Sequence, residues 1–537
     1  MKRLLLLLAL LSLAGCASAE PFQLSGLSRG GGRSPFLAGA ASVAFTPEPG
    51  YPLGGYGGGG RRDEWPLYFG IGWPGQLALA AHQSWHEDDP EGRADMLHGA
   101  EGVHDDLMAR ALVLRPQAPH APPVALVKFD GIGTTLELHD LVCALVADLG
   151  YEKQTVVLAA THTHSGVGAY MREPMACLAA MDNFRPEVEA ALAQACADAI
   201  RSAHESARPA LLGFGRARDR SAEGAPLIAK NRRARRFKDE IEYDAIDDEI
   251  GLLLVRDAGS RAPIGLLVNY AVHPTLLGSD NLKFSGDVGG AIERAVADRI
   301  GAPALFFNGA EGDIGPQSGG LPDKLARCGE LGELMADLVA PVVSEIPMHA
   351  AIAVTAAIGD KELGSPRTLV ALGRERFIDG EAGVTGWLTE PLTLPLNLVL
   401  WTLGFTNIRV VVTWNLGLGV IAQLNTLIGR TTTRVGGLRI QAGDEDVALL
   451  GLPGEATHDV GLALRAEAAS RGATRSFVLG LTHDHIGYIA SRSEYRRGGY
   501  EAQSTLFGEG TADAILEADR AVLEALGFAA PEAPSSQ

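Results

Sequence analysis

Cysteine is scarce in this chain, with 5 residues among 537. None stands in C-x-x-C spacing, which excludes the cysteine-paired zinc sites read from that signature. Cys143, Cys177, Cys196 and Cys328 lie beyond the N-terminal leader. They form one or two disulfides in an oxidising compartment, or they are buried free thiols. Positive charge is also short: 46 Lys+Arg against 65 Asp+Glu give a formal net charge of −19. That balance argues against nucleic acid as the main partner, because phosphate binding needs clustered Lys and Arg. Beyond the leader, no long apolar run is uninterrupted. A spanning helix needs ~20 such residues. The apolar segment 391–429 is broken by Pro395, Asn397, Asn407, Arg409 and Asn415. It reads as buried strands or helices, with a lid or lipid-facing surface as the alternative.

Two glycine motifs lack the context that would give them meaning. "GLSRG" at 26–30 has no flanking strand and helix, so it is not a nucleophile elbow. "GIGWPG" at 70–75 contains Pro74 and has no clear βαβ unit around it, so it is not a dinucleotide loop.

What is present begins with "MKRLLLLLALLSLAGC": Lys2 and Arg3, an apolar run from Leu4, and a small-residue end at Cys16. This is a secretory signal peptide over residues 1–16. "LAGC" resembles the bacterial lipobox, which implies lipidation of Cys16. By the same resemblance Ala17 favours outer-membrane sorting. The expected product is an exported envelope lipoprotein, facing the periplasm or the exterior and anchored rather than spanning. Residues 17–45 read as a tether, 46–527 as one large domain, and 528–537 as a disordered tail.

The hydrophobic share of 46% is ample for a sizeable core. Apolar, β-rich runs alternate with amphipathic helical segments such as "RPEVEAALAQACADAIRSAHESA". The expected fold is therefore α/β, a mixed β-sheet core flanked by helices in a single large domain.

Chemistry gathers where apolar strands end. "TVVLAATHTHSGVGAY" places His162 and His164 just past such a strand, and alternation would point both to one face. His273 follows "GLLVNYAV", and Glu455 follows "LLGLPG". Two histidines and a carboxylate at strand ends fit a catalytic zinc site, although spacing this long does not itself bring them together.

These segments resemble the neutral (non-lysosomal) ceramidases, in that family's order, from about residue 100 to 515. "THTHSGVGAY", "NYAVHPT" with "FSGDVGG", "GAEGDIGPQ", "LPGEATHDVG" and "HIGYIASRSEYRRGGYEAQSTLFG" carry the resemblance. It implies a zinc-dependent amidase with one zinc per chain, cleaving a ceramide-like N-acyl lipid amide by attack of zinc-bound hydroxide. By position it implies His162, His273, Glu455 and Tyr488 as zinc ligands. It implies His164 as the proton-handling neighbour, with Tyr500 and Arg232 stabilising the oxyanion. A second, structural calcium or magnesium ion and the oligomeric state are left open. The implied partners are the lipid amide and, through Cys16, a membrane.

Departures from the family are specific. Gly315 stands where the family has serine, which rules out a serine nucleophile there. Gln317 replaces asparagine, Val167 replaces proline, and Ala169 replaces glycine. Residues 376–440 match no family motif. The chain also stops soon after its final helix, which leaves no room for the family's C-terminal β-sandwich. These departures keep two alternatives in view: the same metal site acting on another amide or ester, and a catalytically altered binding lipoprotein.

Overall fold

The computed structural model describes residues 21–57, 59–61, 92–173, 176–237, 240–319, 322–363, 369–372, 408–415, 417–424 and 431–529. The signal segment 1–16 with Cys16 and the glycine motif at 70–75 lie outside them.

The core is one mixed sheet of 13 strands. The first are β1 (Gln23–Arg29), β2 (Ser34–Ala44), β3 (Met108–Pro116), β4 (Val124–Phe129) and β5 (Val156–Ala160). Next come β6 (Arg208–Arg218), β7 (Glu249–Asp257), β8 (Pro263–Tyr270) and β9 (Ala304–Asn308). The last are β10 (Ala351–Glu362), β11 (Thr432–Ala442), β12 (Glu445–Gly451) and β13 (Arg475–Leu479). The main order is β9-β8-β7-β6-β2-β10-β11-β12-β13, with β3, β4 and β5 branching from β2, and β1 added to β10. Three neighbouring pairs are parallel: β4/β5, β8/β9 and β12/β13.

Among the described residues six longer helices cover the sheet: α1 (Leu136–Val146), α2 (Pro186–Glu205), α3 (Asp287–Ile300), α4 (Lys324–Glu345), α5 (His458–Ser470) and α6 (Thr511–Ala525). Helix α1 starts where Thr135 accepts a hydrogen bond from the Leu138 amide. Its final turn ends at Gly150, in the left-handed conformation at φ 84°.

The sheet also packs on itself. One core contains only strand residues, among them Phe36, Leu112, Phe214, Leu267, Phe307, Leu438 and Phe477. Phe214 on β6 meets Phe477 on β13 with ring centroids 6.1 Å apart. Asn269 on β8 donates to the Val478 carbonyl of β13 at 2.8 Å. Three further cores lie under helices: α1 and α2, α3 and α4, and α5 and α6. Strands covered on both faces need apolar residues at successive positions, which explains the near-continuous runs of β4 and β5.

Several expectations need correction. Most of the segment 17–45 is not a tether: β1 pairs with β10, and β2 pairs with β3 along its length. The Gly and Ala content of β2 reflects close packing. A Cβ on Gly39 would lie 2.1 Å from the Ala203 carbonyl oxygen of α2. The ordered chain continues past 527, since Phe528 is buried beneath the Arg439 guanidinium, 4.5 Å from its ring centroid. Cys143, Cys177, Cys196 and Cys328 are all free and buried, so the thiol alternative holds. Within 391–429, residues 408–415 and 417–424 form an antiparallel hairpin that also pairs with 369–372. Among the described residues no helix is long and apolar enough to cross a membrane.

Candidate metal centre

The residues of the centre follow the ends of β5, β8, β12 and β13. His162 comes two residues after β5 and adopts φ 71°, a left-handed value that is uncommon for a residue with a side chain. Strand alternation therefore does not align His162 with His164; a turn of the backbone does. The turn is held by the His162 amide, which donates to Gly131 O at 2.9 Å. His273 follows β8, and its amide donates to Ile314 O at 2.8 Å. Glu455 lies opposite Tyr488 in a short parallel bridge, which fixes the carboxylate beside the phenol.

Three ring nitrogens converge. Nε2 of His162 is 3.1 Å from that of His273 and 3.3 Å from that of His164; the remaining pair is 3.2 Å apart. Oε2 of Glu455 is 3.2 Å from His162 Nε2 and 3.7 Å from His273 Nε2. At its other end, His162 Nδ1 lies 2.5 Å from Ile132 O, and His273 Nδ1 lies 3.3 Å from Glu311 O. A carbonyl only accepts, so both rings carry their proton on Nδ1 and turn an Nε2 lone pair inward. Facing lone pairs repel unless a cation lies among them. A tetrahedral ion with metal–nitrogen bonds of about 2.0–2.1 Å places its ligands about 3.3 Å apart, close to the spacing seen. Among the described residues, Oε2 of Glu455 is buried and has no hydrogen-bond partner. These donors fit a transition-metal ion that prefers imidazole and carboxylate.

The protonation states agree with that fit. Burial holds the His164 and His273 rings well below their usual pKa, with His162 adding to the effect on the first and Arg232 on the second. Neutral rings are what a metal requires. Burial alone would raise the Glu455 carboxyl; positive charge at His162 and His273, with a hydrogen bond from His485, would outweigh it and hold the group well below the carboxylate range, and with those rings neutral that positive charge is what a bound cation would supply.

Beside this cluster lies a cationic wall. Arg232 donates through Nη2 to Tyr488 Oη and to Gly312 O, each at 2.5 Å, and its Nε is 3.2 Å from Glu501 Oε1. Its guanidinium carbon is 5.7 Å from the ring centroids of both Tyr488 and Tyr500. Burial, with Glu455 nearby, keeps the Tyr488 phenol protonated against the pull of Arg232. Tyr500 packs edge-on against Tyr488 at 5.4 Å and is 58% exposed, so it faces the approach to the site.

All seven catalytic and metal residues expected from the sequence are thus brought together. At position 315 a Cβ would meet only the Arg232 Cβ, at 3.8 Å, so the missing serine is not excluded for lack of room. Ala169 adopts φ 61°, which accounts for a glycine at that position in the family.

The profile of the neutral/alkaline non-lysosomal ceramidase family, N-terminal part, matches residues 87–374, more than half of the chain. The chain belongs to this family. Among curated ceramidases, the neutral ceramidase of Mycobacterium tuberculosis is 26% identical over 477 residues, covering 79% of this chain and 72% of that protein. Neutral ceramidase 1 of Arabidopsis thaliana is 28% identical over 213 residues, 38% of this chain and 26% of the plant protein. The crystal structure of the neutral ceramidase from Pseudomonas aeruginosa superposes with a TM-score of 0.65 at 20% identity, covering 92% of this chain and 75% of that one.

Two residues beside the cluster escaped the sequence reading. His485 has its Nε2 3.4 Å from Glu455 Oε1. The signal was a second H-x-H, "HDH" at 483–485, just before Tyr488. Asn308, at the end of β9, donates to Thr161 O at 3.0 Å and to Val272 O at 2.9 Å, tying the residue before His162 to the residue before His273. Asp313, His458 and Glu494 could also be taken for ligands. They are already paired, His458 with Asp313 at 2.7 Å and Arg233 with Glu494 at 2.7 Å.

Proposed function

We propose that this chain is a zinc-dependent amidase that cleaves a ceramide-like N-acyl lipid amide. The observation that carries the reading is the convergence of His162, His164, His273 and Glu455, in a chain of the ceramidase family. We assign His162, His273, Glu455 and Tyr488 as ligands. The backbone-anchored Nδ1 atoms of His162 and His273 support their part in this assignment. His164 lacks such an anchor among the described residues, where its buried Nδ1 has no partner, which favours a proton-handling role.

A zinc ion held there would act as a Lewis acid and make water a competent nucleophile near neutral pH. In the overall reaction water adds to the amide carbonyl carbon, the C–N bond breaks, and the products are a fatty acid and an amine. His164, kept neutral by burial, accepts the water proton at Nε2 and returns it to the leaving nitrogen. Arg232 and Tyr500 face the carbonyl oxygen and stabilise the charge that develops on it. The strand 369–372 runs close to the short helix Tyr500–Gln503, which supports a covering role for the apolar hairpin beside the site. Lipidation of Cys16 and an envelope location belong to the same proposal; Cys16→Ser would then release the protein from the membrane fraction.

The second reading, another amide or an ester at the same centre, is favoured by Gly315, Val167 and Ala169. Metal analysis with a fluorescent-ceramide assay tests the proposal. The expected result is about one zinc per chain and ceramide turnover, both lost in His162→Ala. Turnover of another acyl compound without ceramide would decide for the second reading. Wild type without metal would overturn both.

A further inference from the structure

Glu455 divides its two oxygens between two neighbourhoods. Oε2 faces His162 and His273, at 3.2 and 3.7 Å. Oε1 faces Nε2 of His485, at 3.4 Å. That nitrogen is buried and makes no hydrogen bond among the described residues, Oε1 of Glu455 included, so its donor is still free to turn onto the carboxylate beside it. The His485 ring lies nearly parallel to the His162 ring, at 20° with centroids 6.2 Å apart.

The seat of this ring is built into the fold. A Cβ on Gly133 would fall 2.6 Å from His485 Cδ2 and 2.9 Å from Cγ, so the ring occupies space that only glycine leaves open. Gly133 is itself fixed, because the Tyr170 hydroxyl donates to its carbonyl at 2.7 Å and accepts from its amide at 3.2 Å. His483, the partner in the H-x-H pair, turns away and reaches Val156 O at 3.3 Å.

We infer that His485 is a positioning residue of the metal centre: its Nε2–H holds Oε1 of Glu455, which leaves Oε2 aimed at the ion. A carboxylate ligand without such a donor rotates about its last torsion and spends less time in the binding orientation. The inference rests on the reading of the centre as a metal site.

The test is zinc affinity, measured by competition with a chromophoric chelator, together with the absorption spectrum of the cobalt-substituted protein. His485→Phe should weaken zinc binding about 10–100-fold and alter the cobalt bands. His485→Gln, which keeps an N–H at similar reach, should stay within about threefold of wild type. Gly133→Ala, which displaces the ring without changing it, should follow the Phe variant. Melting temperatures of the variants, compared with wild type, separate positioning from loss of fold. Undiminished affinity in His485→Phe would overturn the inference. So would a Gln variant as weak as the Phe variant, since the hydrogen-bond donor would then not be what matters. Wild type that binds no zinc would instead refute the metal reading itself.

Discussion

Replacing Asn308 by leucine should loosen the metal centre without touching a ligand. The side chain is fully buried. Its Nδ2 spends both hydrogens, on Thr161 O at 3.0 Å and Val272 O at 2.9 Å, while Oδ1 accepts from the Val272 amide at 3.1 Å. Leucine has a similar volume but leaves two carbonyls and one amide unpaired inside the protein. Each such group costs about 1–3 kcal/mol, so partial relaxation leaves a loss of about 3–5 kcal/mol. The two loops carry His162 and His273, so zinc affinity should fall by about tenfold or more. Urea unfolding of the metal-free protein gives the first quantity, and chelator competition gives the second. A loss under about 1 kcal/mol with unchanged affinity would show that the loops hold themselves, and the reasoning would fail.

Other perturbations test the surrounding structure. Burial alone would lower the His458 pKa, but Asp313 raises it to about 9 from 6.5. The bound proton therefore stabilises the fold fully below about pH 6.5, and that stability is lost as pH rises through 9, by about 3 kcal/mol at most. His458→Gln should flatten this part of the pH–stability curve. Lys128, wholly buried, is paired with Asp130 at 2.9 Å and Glu293 at 2.7 Å. Lys128→Met should cost about 3–5 kcal/mol in urea unfolding, because it removes the cation between two buried carboxylates and leaves Arg110, 3.0 Å from Glu293, to balance both. Phe477→Ala, in the core between the two halves of the sheet, should cost about 3–5 kcal/mol and lower the melting temperature without weakening zinc binding.

Periodicity carried much of the architecture. The runs that became β4, β5, β7 and β8 are apolar because both faces are covered, and α2, α3 and α6 show their amphipathic spacing openly. Strand β2 was not legible, because small residues chosen for contact with α2 look like tether composition. The ligand candidates were legible as histidines and a carboxylate at strand ends. Their meeting was not, since His162 reaches the site through a left-handed turn that alternation does not foresee. His485 and Asn308 contact partners on other elements, Glu455 for the first and the Thr161 and Val272 carbonyls for the second, and no local spacing records such a contact.

Anomalous diffraction at the zinc edge, from crystals grown with zinc, tests the central claim most directly. The account predicts one strong peak within about 2.0–2.3 Å of His162 Nε2, His273 Nε2 and Glu455 Oε2. No peak there, or a peak only at Asp313 and His458, would contradict it.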